Sequence, residues 1–468
     1  MNRKRPAGDE NRPPENEPQE IVPPGSGNRD AREPAPPTGP ERADAVTATG
    51  EVSCRGPGST IEFQPQPVAL TRGLAALRYR DFRLFWLSQL ISLVGTWMQI
   101  IAQGWLVLEL GGSAFELGVI GALQFLPMLG LSLFGGLLAD QLPKRRLLLE
   151  TQSASMILAF VLALFTGIGI VRIAHVMVLA ALLGLVNAID MPTRQAFVVE
   201  LVGRQELPNA VALNSAAFNA ARLAGPAIGG LLIAWTGLAT VFFLNGVSFL
   251  PVIAALVAIR AGSVAAAGGM IPGEILTNVR EGLSYVRHSP LTLLTVSLVA
   301  LVATFGMNFN VVAPILARDV LDVGADGFGI LMSALGLGAL VASMLLAFLE
   351  WEPHPKLLIG GAASFGLLEI ALSRTAEFAL AVILLGAIGF AMILLTTVAN
   401  TTLQTSTPDY LRGRVLSVYT TCFVGTTPLG SLFTGALAQA GGIALPLLVG
   451  GAISAGSALL GWWRAAKL

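Results

Sequence analysis

The chain has 468 residues, 54% of them hydrophobic and only 12% charged, and its 29 basic and 29 acidic side chains cancel to no net charge. A soluble domain carries about 25% charged residues, so the composition excludes an ordinary water-soluble globule and points to a chain that crosses a membrane many times. Two cysteines, Cys54 and Cys422, exclude a disulfide framework and a cysteine-rich metal site, and no basic face supports nucleic-acid binding.

Residues 1–70 hold 13 of the 27 prolines, eight Lys/Arg and eleven Asp/Glu. Such a segment cannot bury enough apolar surface to offset its ordering entropy, so residues 1–75 are expected to form a disordered tail. No apolar run follows the basic start MNRKR, which therefore does not read as a signal peptide. The Pro-rich stretch 34–40 reads as solvated linker.

Apolar windows follow near 84–108, 114–139, 147–170, 174–194, 209–235, 238–259, 291–316, 328–349, 357–373, 378–400, 414–438 and 443–463. About 20 helical residues cross the ~30 Å hydrocarbon layer, so these predict twelve spans. A polar connector, 261–290, separates spans six and seven, and its apolar positions recur at helical spacing, as in a short interfacial helix. The chain thus divides into a tail, a first half at 76–260, the connector, and a second half at 291–468.

Loop cations fall fifteen on one side and three (Arg172, Arg318 and Arg374) on the other. Short cytoplasmic loops are enriched in Lys and Arg, which predicts both termini in the cytoplasm of a bacterial-type plasma membrane. The halves echo one another: SAFELG ending at Gly118 opens span two, and ADGFG ending at Gly329 opens span eight, 211 residues later.

Four constellations stand out. The turn between spans two and three reads GGLLADQLPKRR over 135–146. Its spacing Gly136-x-Leu138-Ala139-Asp140-x-x-x-x-Arg145-Arg146 resembles the signature loop of the major facilitator superfamily, with Gln141 and Pro143 departing from the usual Arg and Gly. The resemblance implies that Asp140 and Arg145 latch the cytoplasmic ends of two halves together, and Glu200 is the candidate ionic partner. The plainer reading makes Arg145 and Arg146 topology determinants only.

In span four, Pro192 permits a kink, and Asp190 and Arg194 sit four apart on one helix face. They read either as a structural ion pair or as a proton-carrying carboxyl tuned by its arginine. In span five, Gly225, Pro226, Gly229 and Gly230 let another helix approach closely. That run also resembles the motif of exporting antiporters in the superfamily. Arg222, deep in the same span, needs an anion, and either Asp190 or a bound substrate could supply it. Together with Asp190, Arg194 and Glu369 of span nine, it forms the set of proton-coupling candidates.

Trp97, Gln99 and Gln103 in span one read as cavity lining or as glue between helices. Asn187, Asn308, Asn310 and Asn400 are weaker cavity candidates of the same kind. The stretch 192–230 as a whole resembles the superfamily subgroup that includes the enterobactin exporter and macrolide efflux pumps.

The expectation is an all-α membrane protein of twelve transmembrane helices in two pseudo-symmetric six-helix halves. The resemblance implies proton-driven export of a siderophore, antibiotic or other metabolite, by a monomer that needs only its substrate, protons and a lipid bilayer. An importer of the same fold and a non-transporting receptor or scaffold remain open. No G-x-x-x-x-G-K-[ST] run occurs, so ATP is not expected as fuel. No nucleophile–base or metal constellation marks an enzyme, and no metal or cofactor is expected.

Overall fold

A computed structural model describes residues 74–259, 272–349 and 351–465. The expected disordered tail and the start of the connector lie outside the described residues. So do the side chains of 132–140, which include Gly136 and Asp140.

The chain enters through a short 3-10 turn, Ala75–Arg78, and continues into α1 (Arg80–Glu109). Next comes α2 (Ala114–Gln141), which begins at a reciprocal cap. The Ser113 backbone N–H donates to Glu116 Oε2 at 2.7 Å, and the Glu116 N–H donates to Ser113 Oγ at 3.2 Å. Then follow α3 (Lys144–Gly167), α4 (Ile173–Gly203), α5 (Gln205–Thr236) and α6 (Leu238–Ala258). The connector contributes α7 (Pro272–His288). The second half holds α8 (Pro290–Val320), α9 (Ala325–Phe348), α10 (Pro355–Leu372), α11 (Phe378–Ser406), α12 (Asp409–Gly425), α13 (Thr427–Gly441) and α14 (Ala444–Ala465).

Eleven of the described helices are long and apolar enough to cross a membrane. The remaining expected span, 414–438, is a broken one, made of the 17-residue α12 and the 15-residue α13. Pro428 brings no N–H to the helical ladder there, and just before it the Thr426 hydroxyl donates to the Cys422 carbonyl at 2.8 Å. Span seven is broken as well. Its helix stops at Phe305, Asn308 leaves helical geometry, and a short helix and a π turn complete α8.

The polar connection expected between spans four and five is helical almost throughout. One residue, Gly203, carries the whole change of direction at φ 71° and ψ 174°, a region that only glycine enters at low cost. The expected interfacial helix in the connector is α7. Its Gly282 lies against the backbone of Arg414, and Glu281 pairs with the Arg414 side chain.

Two cross-pairings join the halves, α2 with α13 and α5 with α9, and glycines make both. A Cβ placed on Gly118 would stand 2.4 Å from the Ser431 carbonyl oxygen and 3.1 Å from Gly435 Cα. A Cβ on Gly230 would stand 2.6 Å from the Ala325 carbonyl oxygen and 2.8 Å from Gly329 Cα. The sequence echo between Gly118 and Gly329 is therefore an echo in space: each lies at the same end of the bundle, packed on the other half. At that end Trp105 also stacks on Phe328, 5.9 Å between centroids, and Arg318 donates to the Leu108 carbonyl at the close of α1.

At the opposite end, where the α2–α3 turn lies, the described ion pairs stay within one half. These are Arg80–Asp81, Lys144–Glu200, Arg146–Glu150 and Arg412–Asp409, while Arg414–Glu281 ties the connector to the second half. Among the described residues no ion pair or hydrogen bond crosses between the halves there. The glycine pairings close the bundle at one end, here called the far end; the other is here called the basic end.

Candidate functional site

The basic end is built on an apolar cluster that includes Phe82, Phe85, Leu148, Phe197, Val202 and Leu256, with Phe85 edge-on to Phe197 at 5.5 Å. The three successive cations of the turn leave it in three directions. Lys144 turns inward, 5% exposed, with Nζ 2.7 Å from Glu200 Oε1. Arg145 donates to the Leu256 carbonyl at 2.5 Å and the Val257 carbonyl at 2.7 Å, capping the last turn of α6, where a cation complements the helix dipole. Arg146 lies outside against Glu150 at 2.9 Å. Glu200 is thus held by Lys144, not by Arg145 as expected, and every one of these contacts lies within the first half.

Asp190 is buried between α3 and α4. Its Oδ1 accepts from Thr151 Oγ1 at 2.8 Å and from Gln152 Nε2 at 2.7 Å, and Oδ2 pairs with Arg194. The expected pair exists, and two polar groups from a neighbouring helix satisfy it further. Removing one member of a buried pair costs roughly 3–5 kcal/mol. Arg194 keeps 26% of its side-chain exposure, so Asp190→Ala should cost about 3 kcal/mol, the low end of that range. Asp190→Asn, which keeps an acceptor, should cost less. Unfolding in detergent followed by tryptophan fluorescence measures both, and an unchanged midpoint in the alanine variant would mean that Arg194 finds another partner.

Arg222 differs. Asp190 is engaged elsewhere, and no carboxylate among the described residues pairs with Arg222. Its guanidinium carbon lies 5.8 Å from the centre of the Trp97 ring, and Nη2 lies 3.7 Å from Met392 Sδ. Trp97 belongs to the first half and Met392 to the second, so the charge sits on the boundary between them, near the middle of α5. Phe218, one turn earlier on the same face, meets Trp97 edge-on at 5.6 Å and is 47% exposed.

The glycine run sets this geometry. A Cβ on Gly225 would fall 2.4 Å from Trp97 Cβ, and one on Gly229 would fall 3.1 Å from Met98 Cα, so these two glycines seat α1 against α5. From the other half, Gly336 lets α9 reach the Arg222 backbone, since its Cβ would stand 3.0 Å from the Arg222 carbonyl oxygen. An arginine at mid-membrane costs roughly 2.5–3.5 kcal/mol on insertion scales, and a cation over an indole returns about 0.5–2 kcal/mol. Trp97 alone leaves part of the cost of Arg222 uncovered.

Glu369 is 1% exposed in α10, and its Oε2 has no hydrogen-bond partner among the described residues. Two glycines make room for it. A Cβ on Gly306, at the break in α8, would lie 2.9 Å from Oε2, and a Cβ on Gly450 in α14 would lie 3.5 Å from it. Sequence reasoning named Glu369, but neither these glycines nor the helix break it faces.

The amides divide. Gln99 accepts from Asn245 at 2.5 Å and so ties α1 to α6, the role of glue and not of cavity lining. Asn308 is likewise committed, with Nδ2 donating to the Thr304 carbonyl at 2.8 Å within the break of α8. Gln103 is buried, Asn187 half-buried and Asn310 exposed, while exposed Asn400 accepts from Gln404 at 2.7 Å. Two apolar recesses, of about 640 Å³ between α9, α10 and α11 and about 490 Å³ between α2 and α4, contain none of the charged candidates. Residues missed from the sequence are Thr151, Gln152 and Met392, and Lys144 was read only as a loop cation. A polar Thr-Gln pair inside an apolar window was the available signal for the first two.

The profile of a family described as transmembrane secretion effectors matches residues 71–465. The multidrug efflux pump Tap of Mycolicibacterium fortuitum is 28% identical over 375 residues, covering 77% of this chain and 91% of the pump. The staphyloferrin A transporter of Staphylococcus aureus is 26% identical over 383 residues, covering 77% of this chain and 90% of that protein. Among solved structures, the nucleoside transporter NupG superposes with a TM-score of 0.65 at 11% identity, over 82% of this chain and 98% of NupG. At that identity the likeness speaks for the fold alone. With the family profile spanning all the described helices, this chain belongs to the transmembrane secretion effectors of the major facilitator superfamily.

Proposed function

We propose that the protein is a secondary active exporter of amphiphilic organic molecules, working by alternating access and driven by proton entry. The observation that carries this reading is the glycine run of α5, which seats α1 at Gly225 and Gly229 and the second half at Gly230. Two adjacent faces of one helix thereby connect Trp97 to the closure at the far end. The names of the relatives, an efflux pump and a siderophore transporter, agree with it. The excess of loop cations sets the basic end on the cytoplasmic side of a bacterial plasma membrane, so the closed far end faces outward.

For the proton, Glu369 is the better candidate of the two buried carboxyls. It can take up and release a proton without breaking any contact, whereas Asp190 would have to give up two hydrogen bonds and an ion pair. Glu369 also lies toward the far end, behind the break in α8. A gate opening there would admit protons from the outside.

Efflux of a panel of dyes from loaded cells, with and without a protonophore, tests the reading. Cells making the protein should clear at least one dye several-fold faster than control cells, and the protonophore should abolish the difference. Proton-dependent accumulation of a dye would instead make the protein an importer.

A further inference from the structure

We infer that the exported molecule is an organic anion, and that the Arg222 guanidinium on the Trp97 face is its docking point. The inference rests on the export reading and names the substrate class for it. Arg222 is a permanent charge at mid-membrane, on the boundary between the halves, and its described neighbours are an indole, a thioether and backbone. None of them neutralises it. Arginine keeps its proton at any working pH and presents a planar fork of donors that suits a carboxylate, sulfonate or phenolate.

The surroundings fit the remainder of such a molecule. Trp97 and Phe218 offer two rings at an interplanar angle of 72°, with Phe218 exposed, so a flat apolar body can lie beside them while its charged end meets Arg222. The site is complete only with both halves present, because Met392 closes it from the second half. An anion bound there replaces the missing counter-charge, and it loses the Met392 side of its site when the halves part around it. That is the behaviour a transported ligand needs.

Binding to the purified full-length protein in lipid nanodiscs, without any gradient, tests the inference separately from transport and its direction. The probes are fluorescein, eosin and anilinonaphthalene sulfonate as anions, with rhodamine 123 as a cation on the same ring system as fluorescein, all read by fluorescence anisotropy. Wild type should bind at least one of the anions saturably and more tightly than rhodamine 123. Arg222→Gln should weaken that anion at least tenfold, and Arg222→Lys, which restores the charge without the planar fork, should recover part of the loss. Trp97→Phe should weaken the same anion less than Arg222→Gln does. Equal anion affinity in wild type and Arg222→Gln would overturn the inference. Preference of wild type for rhodamine 123, or no saturable binding of any of the three anions, would also overturn it. If dyes are exported but the anions bind no better than the cation, export stands and the anion site falls.

Discussion

Gly230→Leu should abolish net efflux, at least tenfold below wild type, while the protein still reaches the membrane in normal amount. The reason is backbone geometry. The first atom added at residue 230 would lie 2.6 Å from the Ala325 carbonyl oxygen and 2.8 Å from Gly329 Cα, and neither belongs to a side chain that can swing away. Close-packed interiors resist even a single added methyl group, so α5 and α9 must separate and the far end stays open. A cysteine placed at Ala114, in a background with Cys54 and Cys422 replaced by serine, reads this directly. It should be protected from an impermeant maleimide in the parent and labelled from outside in the Gly230→Leu variant. Gly118→Leu, at the α2–α13 pairing, should do the same. Normal efflux by Gly230→Leu would show that far-end closure is not part of the cycle.

The second large effect is expected at Glu369. Glu369→Gln is near-isosteric and cannot release a proton, so it should lose protonophore-sensitive efflux by at least tenfold. Exchange of a labelled dye across proteoliposomes at equal pH should survive, because exchange requires the conformational change but no net proton movement. That split separates a coupling residue from a structural one, since a merely misfolded variant would lose both activities. If efflux stays protonophore-sensitive in Glu369→Gln, the proton site lies elsewhere, and Asp190 becomes the next carboxyl to replace.

Much of this fold is legible in one dimension because crossing a hydrocarbon layer demands about 20 apolar residues in a row, and that requirement is local. The breaks are less so. Pro428 is visible as a letter, yet whether a proline kinks or splits a span depends on what satisfies the freed backbone groups. Here the break falls at Thr426, two residues before the proline, and the Thr426 hydroxyl bonds back to the Cys422 carbonyl. The turn cations show the same limit at closer range. Lys144, Arg145 and Arg146 look interchangeable as loop charges, but successive helical residues point about 100° apart, and only the positions of α4 and α6 decide which one is buried. Gln99 met Asn245 across 146 residues, a pairing that no spacing rule encodes. Arg222 was recognisable as needing an anion. That Asp190 is not that anion followed only from seeing Thr151, Gln152 and Arg194 around the carboxylate.

The contrast between the two ends of the bundle has a further consequence. The far end is closed by glycine backbone, a stacked ring pair and one arginine on a carbonyl, so its closing free energy depends little on ionic strength. The basic end carries exposed pairs such as Arg146–Glu150 and Arg414–Glu281, which salt screens over about 8–10 Å and to which anionic headgroups are attracted. The protein therefore meets surface charge mainly at the leaflet of the basic end. A change in anionic lipid content should act on it more strongly when made on that side than on the other.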